Sequence, residues 1–419
     1  MKKNKIFIQI ASYRDPELLP TLKDMISKAA KPENLVVGIC WQHSKEDEWD
    51  NLDEFINDKR FKIMDVDYSE SKGVCWARHA VQQMYDNEEY TLQLDSHHRF
   101  VQDWDKKLVS MYKKIKKKGH KKPLLTSYIP SFDPENDPEG RVNVPWKMNF
   151  DRFTPEGVVF FIPASYDSWD NSDEPLPSRF YSAHFAFTTG KFCKEVPHDP
   201  NYYFHGEEIS IAVRAFTHGY DLFHPNEVLV WHEYTRKGRT KQWDDDKEWG
   251  SRNSACHLRN RKLFEMDGEK RDIDFGEYGF GKTRSLKDYE KYAGLCFGNR
   301  SITQTVIEKK IPDLDNIKNI SDEDFDKSLS RIFKHCIDIQ FSQVPDTDYD
   351  FWCVAFRDSN NEDVFRQDAD LAEIERIKND PDGYIKLWRE FNTTKQPQSW
   401  LVWPHSISKG WCEPITGML

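Results

Sequence analysis

An aspartate and a histidine end an apolar, strand-length stretch in the segment LQLDSHHRF. Asp95 and His97 are two positions apart, so both side chains can turn toward one point once the chain leaves the strand. Carboxylate oxygen suits Mg2+ and Mn2+, and an imidazole nitrogen shifts the preference toward Mn2+ or other transition metals. The pair indicates a divalent-metal site, although a surface aspartate and histidine at a loop start would give the same pattern.

Two adjacent carboxylates, Glu207 and Glu208, follow Gly206 in the segment HGEEIS, at the predicted start of a helix. A favourable interaction with the helix dipole explains such residues without any catalytic role. In the catalytic interpretation, one carboxylate faces an acceptor hydroxyl or a reacting sugar. Neighbouring residues on a helix point about 100° apart, so the two cannot share one role. We predict Glu208 on the catalytic side, because Glu207 is better placed to stabilise the turn.

A histidine at the end of a later strand-like run, VLVWHEY, is the third candidate ligand. His232 alone is a weak indication, because most isolated histidines are neither ligands nor bases. The order of the groups along the chain is more informative: a metal pair, then an acidic turn that opens a helix, then a distal histidine. A divalent cation at such a site would neutralise the charge of a departing nucleotide diphosphate.

Short apolar runs alternate with helix-like segments through the first half of the chain. This alternation predicts an α/β domain with an open, mainly parallel sheet flanked by helices. Strands are predicted at residues 6–11, 35–41, 61–66, 91–95, 124–129 and 228–233, and helices at 16–30, 73–85, 104–118 and 204–220. Ligands of such sheets bind at the carboxyl ends of the strands, where residues 12–14 and 95–98 would lie.

Residues 133–182 interrupt this pattern, because they are rich in Pro, Asp, Gly and aromatic residues and have little periodicity. A loop of this length inside a compact domain is usually functional or disordered, so we predict a long loop that acts as a lid or an acceptor-facing wall. A loop packed permanently onto the domain is the alternative. The aromatic residues expected to form its inner surface are Trp146, Phe150, Phe153, Phe160, Phe161, Tyr166 and Trp169.

The region beyond a polar, acidic stretch after residue 311 is predicted to be a separate domain. Residues 1–311 form the expected catalytic domain, and residues 321–419 a smaller, largely β accessory domain with strand-like runs at 332–341, 350–356 and 399–403. Its aromatic residues are more numerous than a small core needs. We expect this domain to present the acceptor or to form a contact between the chains of a homo-oligomer.

Overall composition limits the class of protein. With 60 basic and 71 acidic residues, the net charge of −11 argues against nucleic acid as the main partner. No stretch reaches the roughly 18 to 20 apolar residues that span a bilayer. The eight cysteines are scattered without CxxC pairs, which fits reduced thiols and a cytoplasmic location. The basic tract at residues 113–122 is predicted to end a solvated helix, with a membrane-surface or acidic-partner role as the alternative.

Six segments, in order, carry a resemblance to a known enzyme family. They are IASYRDPEL, SKGVCWARHAVQQMY, YTLQLDSHHRF, LLTSYIPSFDP, FHGEEISIAVRAFTHGYDLFHPNEVLVWHEYTR and YGFGKTRSLKDYEKYAG. The sequence resembles the UDP-GlcNAc:polypeptide GlcNAc-transferases of the hydroxyproline/Skp type, which have the GT-A fold. The D-x-H pair is also similar to the metal motif of the polypeptide GalNAc-transferases. GT-A enzymes present the metal pair, the catalytic carboxylate and the third ligand in the order found here.

The resemblance implies nucleotide contacts in two segments. Ser12 and Arg14 occupy the S-x-R segment that contacts the nucleotide in the family. Gly73, Ala77 and Arg78 occupy the G-x-x-x-A-R segment that borders the uridine. A donor carrying uridine diphosphate is therefore expected.

The resemblance also implies roles around the reacting groups. Asp95 and His97 occupy the metal motif and His232 the distal ligand position, while the two glutamates stand beside the donor sugar and the acceptor. Arg236, in HEYTR, matches a basic position that reaches a phosphate. His184, in SAHFAFTTG, is a departure, because a small residue is expected there. That position is close to the donor sugar, so the departure bears on donor identity.

The predicted function is metal-dependent transfer of a sugar, GlcNAc in the first instance, from a UDP-sugar to a hydroxyl of a protein or glycan. Mn2+ is the favoured metal and Mg2+ the alternative, and retention of configuration is implied by the resemblance alone. A second hypothesis is a transferase that builds a polysaccharide on a saccharide acceptor. A third is a catalytically silent binding protein of GT-A shape, against which the intact candidate residues argue.

Overall fold

The chain divides into two units, which are described separately. The computed structural model describes residues 2–166, 174–379 and 384–419. The first unit comprises Met1–Asn299 and Thr305–Ile320, and the second comprises Arg300–Gln304 and Ser321–Leu419.

An eight-stranded, mainly parallel sheet forms the centre of the first unit. The strands of this unit are β1 Lys2–Tyr13, β2 Leu35–His43, β3 Phe61–Asp67, β4 Glu88–Leu94, β5 His98–Phe100, β6 Pro123–Thr126, β7 Trp146–Phe153, β8 Val159–Ser165, β9 Leu176–Pro177, β10 Phe185–Thr189, β11 Asp221–His224, β12 Val230–His232 and β13 Leu295–Cys296. The order in the sheet is β3-β2-β1-β4-β10-β6-β11-β9. β10 and β9 run antiparallel to their neighbours, and the other pairs are parallel.

Helices cover both faces of this sheet. The helices before residue 320 are α1 Leu18–Lys28, α2 Asp53–Ile56, α3 Val74–Gln82, α4 Trp104–Lys117, α5 Phe192–Glu195, α6 Glu207–Thr217, α7 Gln242–Asp245, α8 Trp249–Phe264, α9 Leu286–Ala293, α10 Gln304–Ile307 and α11 Asn316–Asn319. Successive residues of a strand face opposite sides. Ile8 of β1 shares one core with Leu22 of α1 and Trp104 of α4. Phe7 shares the other core with Val81 of α3. The predicted fold class is confirmed.

The segment at residues 133–182 contains a β-hairpin, which was not predicted from its sequence. The role of this segment as a lid or an acceptor-facing wall stays a prediction. β7 and β8 pair antiparallel along their length. The turn between them is closed by a hydrogen bond from the Gly157 N–H to the Thr154 carbonyl at 3.0 Å, with Gly157 at φ 89°. Aromatic and β-branched residues on both sides of a Pro-Glu-Gly turn are the sequence signal for this hairpin. Trp169 lies outside the described residues.

The second unit consists of two antiparallel sheets with a shared core. Its elements are β14 Ser301–Thr303, β15 Leu329–Gln340, β16 Tyr349–Arg357, β17 Asp363–Arg366, β18 Ala369–Asp370, β19 Tyr384–Thr393, β20 Ser399–Ser406, β21 Gly410–Trp411, β22 Ile415–Met418, α12 Asp322–Lys327 and α13 Leu371–Lys378. One sheet joins β14, β15 and β19, and the other is built around β16 and β20. Trp352 and Val402 pack against Ile337 and Leu387 between them. The predicted β-rich character is confirmed.

Two further sequence predictions concerned the state of the cysteines and membrane-spanning segments. All eight cysteines are free thiols, and five of them are buried. Among the described residues, no helix combines the length and the apolar character that crossing a bilayer requires.

Candidate active site

The candidate metal ligands meet at the carboxyl edge of the main sheet. Asp95 directly follows β4, and the chain turns at once into β5. β5 pairs antiparallel with β12, which places His232 opposite His98. The Glu233 N–H donates to the His97 carbonyl at 3.1 Å and holds the two segments together just beyond this pair. A two-strand ribbon therefore brings a residue from late in the chain beside the D-x-H motif.

Asp95, His97 and His232 form one cluster whose candidate ligand atoms lie within 4.8 Å of one another. Oδ2 of Asp95 lies 3.5 Å from Nε2 of His232 and 3.8 Å from Nε2 of His97. Both imidazoles are buried and Asp95 is partly buried. The structure thus brings together the three residues that were predicted as metal ligands.

The donor set and the state of His232 fit a divalent metal. Burial, reinforced by the neighbouring imidazoles, lowers the pKa of His232 well below its ordinary value, so the ring is neutral and can act as a ligand. Its Nδ1 is buried and has no hydrogen-bond partner among the described residues. One carboxylate oxygen and two imidazole nitrogens form a donor set that divalent transition-metal ions accept. These residues would hold a metal with positions left for a substrate oxygen.

Asp15 and Arg239 both contact His97 of the cluster, and neither was predicted from the sequence. Asp15 Oδ2 accepts hydrogen bonds from His97 Nδ1 at 2.7 Å, Ser96 Oγ at 2.6 Å and Arg239 at 2.9 Å. Arg239 also pairs with Glu233 at 3.0 Å. Burial disfavours the charge on Asp15, but His97 and Arg239 outweigh it and hold the pKa of Asp15 below its usual range. Because Nδ1 of His97 contacts Asp15 and Arg239, the ring is held with Nε2 toward Asp95.

Arg78 links the metal cluster to the acidic turn. The guanidinium is buried and donates to Oδ1 of Asp95 at 2.6 Å and to Oε1 of Glu207. Glu207 also accepts from the Cys75 thiol at 2.7 Å. Burial opposes the charge on Glu207, but Arg78 prevails and lowers the pKa of Glu207 to about 2. Arg78 is thus enclosed between two carboxylates and also lines the cavity, and its predicted place beside the uridine stays a prediction.

Glu208 has a different environment from its neighbour. Its carboxylate accepts from the Ala183 N–H at 2.9 Å and from the Tyr128 hydroxyl at 3.4 Å, and it lines the cavity. No ion pair joins it to a cation among the described residues. Burial, together with the charge of Glu207, raises the pKa of Glu208 to about 8. Gly206, at φ 95°, begins the turn that separates the two side chains.

His184 packs against the metal cluster and is internally bonded. Its ring stacks on His232 with centroids 4.3 Å apart. Nε2 accepts from the Ile129 N–H at 3.3 Å and lies 3.2 Å from the Tyr234 hydroxyl, while Nδ1 lies 3.0 Å from Ser182 Oγ. Burial lowers the pKa of His184 to about 3, so the ring is neutral. It forms part of the cavity wall beside the cluster, at the position predicted to lie near the donor sugar.

A cavity of about 550 Å³ opens over these groups. The metal cluster and both glutamates line it, and Phe160 and Phe161 of β8 form part of its wall. Arg236 also lines it, with its guanidinium 5.4 Å from the ring centre of Trp243. The hairpin that contains β8 thus supplies part of the aromatic wall predicted for residues 133–182.

Four predicted nucleotide-binding residues lie beside the cavity without lining it. Ser12 is fully buried. Arg14 is engaged by Asp47 at 2.7 Å and Asp245 at 3.1 Å. Gly73 caps α3, and Ala77 lies in the core beneath that helix. Neighbouring residues do reach the cavity: Ala11, Tyr13 and Val74. The nucleotide roles of these four residues stay predictions.

The contact between Asp15 and His97 predicts a loss of metal affinity in Asp15→Asn. The amide keeps the shape but weakens the basicity of the ligand, so we expect Mn2+ to bind about 10- to 100-fold more weakly. Calorimetric titration of Mn2+ measures this. Asp221→Asn is the matched control, because Asp221 contacts His120 at 2.7 Å and Arg284 at 2.6 Å at the start of β11. Equal Mn2+ affinity in Asp15→Asn and wild type would show that Asp15 does not support metal binding.

Opposite effects on stability are expected for the two glutamates. Glu207→Gln leaves the buried Arg78 short of a partner, so the free energy of unfolding should fall by about 2 to 5 kcal/mol. Wild-type Glu208 keeps its proton between its unfolded pKa of 4.5 and its folded pKa of about 8, while the unfolded chain loses it. Wild-type stability therefore declines as pH rises through this window.

The substituted side chain of the Glu208→Gln variant cannot lose a proton. The free energy of unfolding of the variant, measured relative to wild type, should therefore increase by at least about 1 kcal/mol from pH 5 to pH 8. Urea unfolding at several pH values tests both variants, with the exposed Glu248→Gln as control. A stability gap between Glu208→Gln and wild type that does not change with pH would contradict the raised pKa of Glu208.

Comparisons with known proteins identify the family of the chain. No curated protein sequence matches the chain. The solved structure of GalNAc-T7 with UDP, GalNAc and Mn2+ resembles the chain with a TM-score of 0.48 and 14% identity, over 69% of this chain and 50% of that chain. S. aureus TarS 1–349 with UDP-GlcNAc resembles it with a TM-score of 0.37 and 11% identity, over 61% of this chain and 67% of that chain. The Pyrobaculum calidifontis mannosyltransferase PcManGT with GDP-Man and Mn2+ has a TM-score of 0.36 and 11% identity, over 56% of this chain and 58% of that chain. This chain thus spans half the length of the GalNAc-T7 chain. The family model "Glycosyltransferase (GlcNAc)" matches residues 5–59 and 49–298, most of the first unit. The chain belongs to this glycosyltransferase family.

Proposed function

We propose that the protein transfers GlcNAc from UDP-GlcNAc to a hydroxyl acceptor, with the anomeric configuration retained. The observation that carries the proposal is the Asp95–His97–His232 cluster at the wall of a cavity that also holds Glu208 and Arg236. The description of the family supports GlcNAc as the transferred sugar. The resemblance to the hydroxyproline/Skp-type enzymes supports a polypeptide acceptor, and retention rests on that resemblance alone.

The cluster would hold the metal, which when bound supplies positive charge against the leaving diphosphate. Arg236 adds a second cation at the same cavity. It forms no ion pair with a described residue, and its backbone N–H is held by Glu233 at 2.9 Å. A guanidinium over aromatic rings keeps its donors available for a phosphate oxygen. Preorganised charge of this kind stabilises a departing anion without reorganisation during the reaction.

Glu208 is the proposed catalytic-side carboxylate. Its pKa of about 8 lies in the range in which a group can accept a proton from an acceptor hydroxyl and release it again. Tyr128 and the Ala183 N–H hold the carboxylate at the cavity wall and fix its direction. Glu207 acts differently, because its charge is balanced by Arg78. It holds the turn in place and, through Arg78, positions the ligand Asp95.

His184 is the proposed contact of the chain with the donor sugar. The ring is neutral and fixed by internal hydrogen bonds, so it presents a rigid edge beside the metal cluster. A rigid imidazole where the family is expected to have a small residue narrows the space for the sugar. Donor selection is therefore expected to respond to His184→Ala, with other UDP-sugars accepted in addition to UDP-GlcNAc.

Release of the nucleoside diphosphate, UDP or GDP, from a panel of donors tests the proposed reaction. UDP-GlcNAc, UDP-GalNAc, UDP-glucose and GDP-mannose are compared with Mn2+, Mg2+ or a chelator present. We expect release from UDP-GlcNAc with Mn2+ above Mg2+ and none with the chelator. A hydroxyproline peptide should accelerate release, and NMR of the product should show the anomeric configuration of the donor. Acceleration only by saccharide acceptors would favour polysaccharide synthesis.

Glu208→Gln separates catalysis from binding in the same assay. We expect turnover to fall about 100-fold or more while UDP affinity stays the same. The exposed Glu248→Gln should behave as wild type. UDP binding that is equal with and without metal, together with no release from any donor, would leave only a silent binding protein.

A further inference from the structure

The solvent face of α4 carries a row of lysines. The buried side of this helix consists of Trp104, Asp105, Leu108, Met111, Tyr112 and Ile115. On the opposite side and just beyond the helix are the residues of what we call the lysine face: Lys106, Lys107, Lys113, Lys114, Lys116, Lys117, Lys118 and Lys121. All of these except Lys107 are exposed. The chain as a whole has a net charge of −11, so this cationic surface is a local exception.

Ion pairing explains only one end of the lysine face. Lys118 pairs with Glu174, and Lys114 lies in the field of the same carboxylate. Lys113, Lys117 and Lys121 form no ion pair with any described residue. Lys116 lies 5.9 Å from the ring of Tyr112 and likewise has no described ionic partner. Most of the positive charge therefore faces solvent.

The arrangement opposes the stability of the helix. Lys113 and Lys117 are four residues apart, and like charges at this spacing repel on a helix surface. A solvated helix normally alternates acidic and basic residues at such positions. Lysines in the last turn do interact favourably with the helix dipole, but that effect is confined to this turn. Lys106 and Lys107 lie in the first turn, where the dipole disfavours positive charge.

The carboxyl-terminal part of the lysine face lies away from the candidate active site. α4 packs on β6 and leads directly into its amino end. Asp95 lies at the carboxyl end of β4, and β6 runs parallel to β4 because β10 is antiparallel to both. The carboxyl-terminal lysines therefore lie at the opposite edge of the sheet from the metal cluster. A partner can cover them and leave the cavity open.

We propose that the lysine face docks the protein on an anionic lipid surface. The face follows a helix exterior, so it is convex and suits an extended plane better than a peptide groove. Lysine ammonium groups act as point charges without the planar, bidentate geometry that selects individual phosphates. No exposed aromatic residue interrupts the face, so the base-stacking surface typical of nucleic-acid sites is absent from this described helix.

Vesicle co-sedimentation of the full chain tests the proposal. Vesicles of phosphatidylcholine are compared with an equal mixture of phosphatidylcholine and phosphatidylglycerol. We expect binding to the anionic vesicles alone, and weaker binding as salt rises. Each lysine near an anionic surface contributes about fivefold in affinity, so a triple variant with Lys113→Gln, Lys117→Gln and Lys121→Gln should bind roughly 100-fold more weakly.

A matched control variant has the same total charge as the triple variant of α4. Lys59→Gln, Lys270→Gln and Lys282→Gln remove three exposed lysines elsewhere on the first unit and should leave vesicle affinity within about twofold of wild type. The melting temperature of the α4 variant should equal or exceed that of wild type, because repulsion is removed. Equal losses in the two triple variants, no binding of wild type to anionic vesicles, or binding only to a soluble polyanion such as heparin would each overturn the proposal.

Discussion

Charge balance in a buried cluster is the constraint on which the candidate active site depends. Four carboxylates, Asp15, Asp95, Glu207 and Glu233, are tied to two guanidinium groups, Arg78 and Arg239. Burial keeps the neighbouring His232 neutral. These four carboxylates and two guanidinium groups together carry an excess of two negative charges, which a divalent cation would balance. Without that cation, the remaining charge is held in a partly dehydrated site, where uncompensated charge is costly.

The backbone places these groups by strand pairing, and side-chain packing then fixes their directions. β1 and β4 lie side by side in parallel, so Asp15 and Asp95 emerge from the same edge of the sheet. The ribbon of β5 and β12 adds His232, and the loop after β12 returns Arg239 to Asp15. Each ligand thus lies at the end of a strand that is held in place by its pairing with a neighbouring strand. Precise ligand geometry is supplied by rigid elements, which is a general requirement for a metal site.

The sequence predicted the parts of this architecture that leave local periodic signals. β4 and the D-x-H pair at its end are recognisable because a buried strand is an apolar run followed by polar groups. Asp15 and Arg239 were missed because their role depends on contacts between residues 224 positions apart, which have no local signature. The hairpin of β7 and β8 was missed for another reason. β7 alternates apolar and polar residues from Trp146 to Asp151, but its partner β8 has adjacent aromatic residues, Phe160 and Phe161. β8 therefore lacks the alternation by which a half-buried strand is recognised.

The two adjacent glutamates show how one turn of chain can serve two chemical purposes. Gly206 lets the backbone adopt φ 95°, and the following residues leave the turn in different directions. Glu207 meets the guanidinium of Arg78, and the pKa of Glu207 falls to about 2. Glu208 meets only neutral donors, and its pKa rises to about 8. Environments that drive the pKa values of neighbouring carboxyls apart separate a permanent charge from a group that can exchange a proton. The permanent charge of Glu207 balances Arg78 and, through Arg78, holds the metal ligand Asp95, while the proton-exchanging Glu208 lines the cavity.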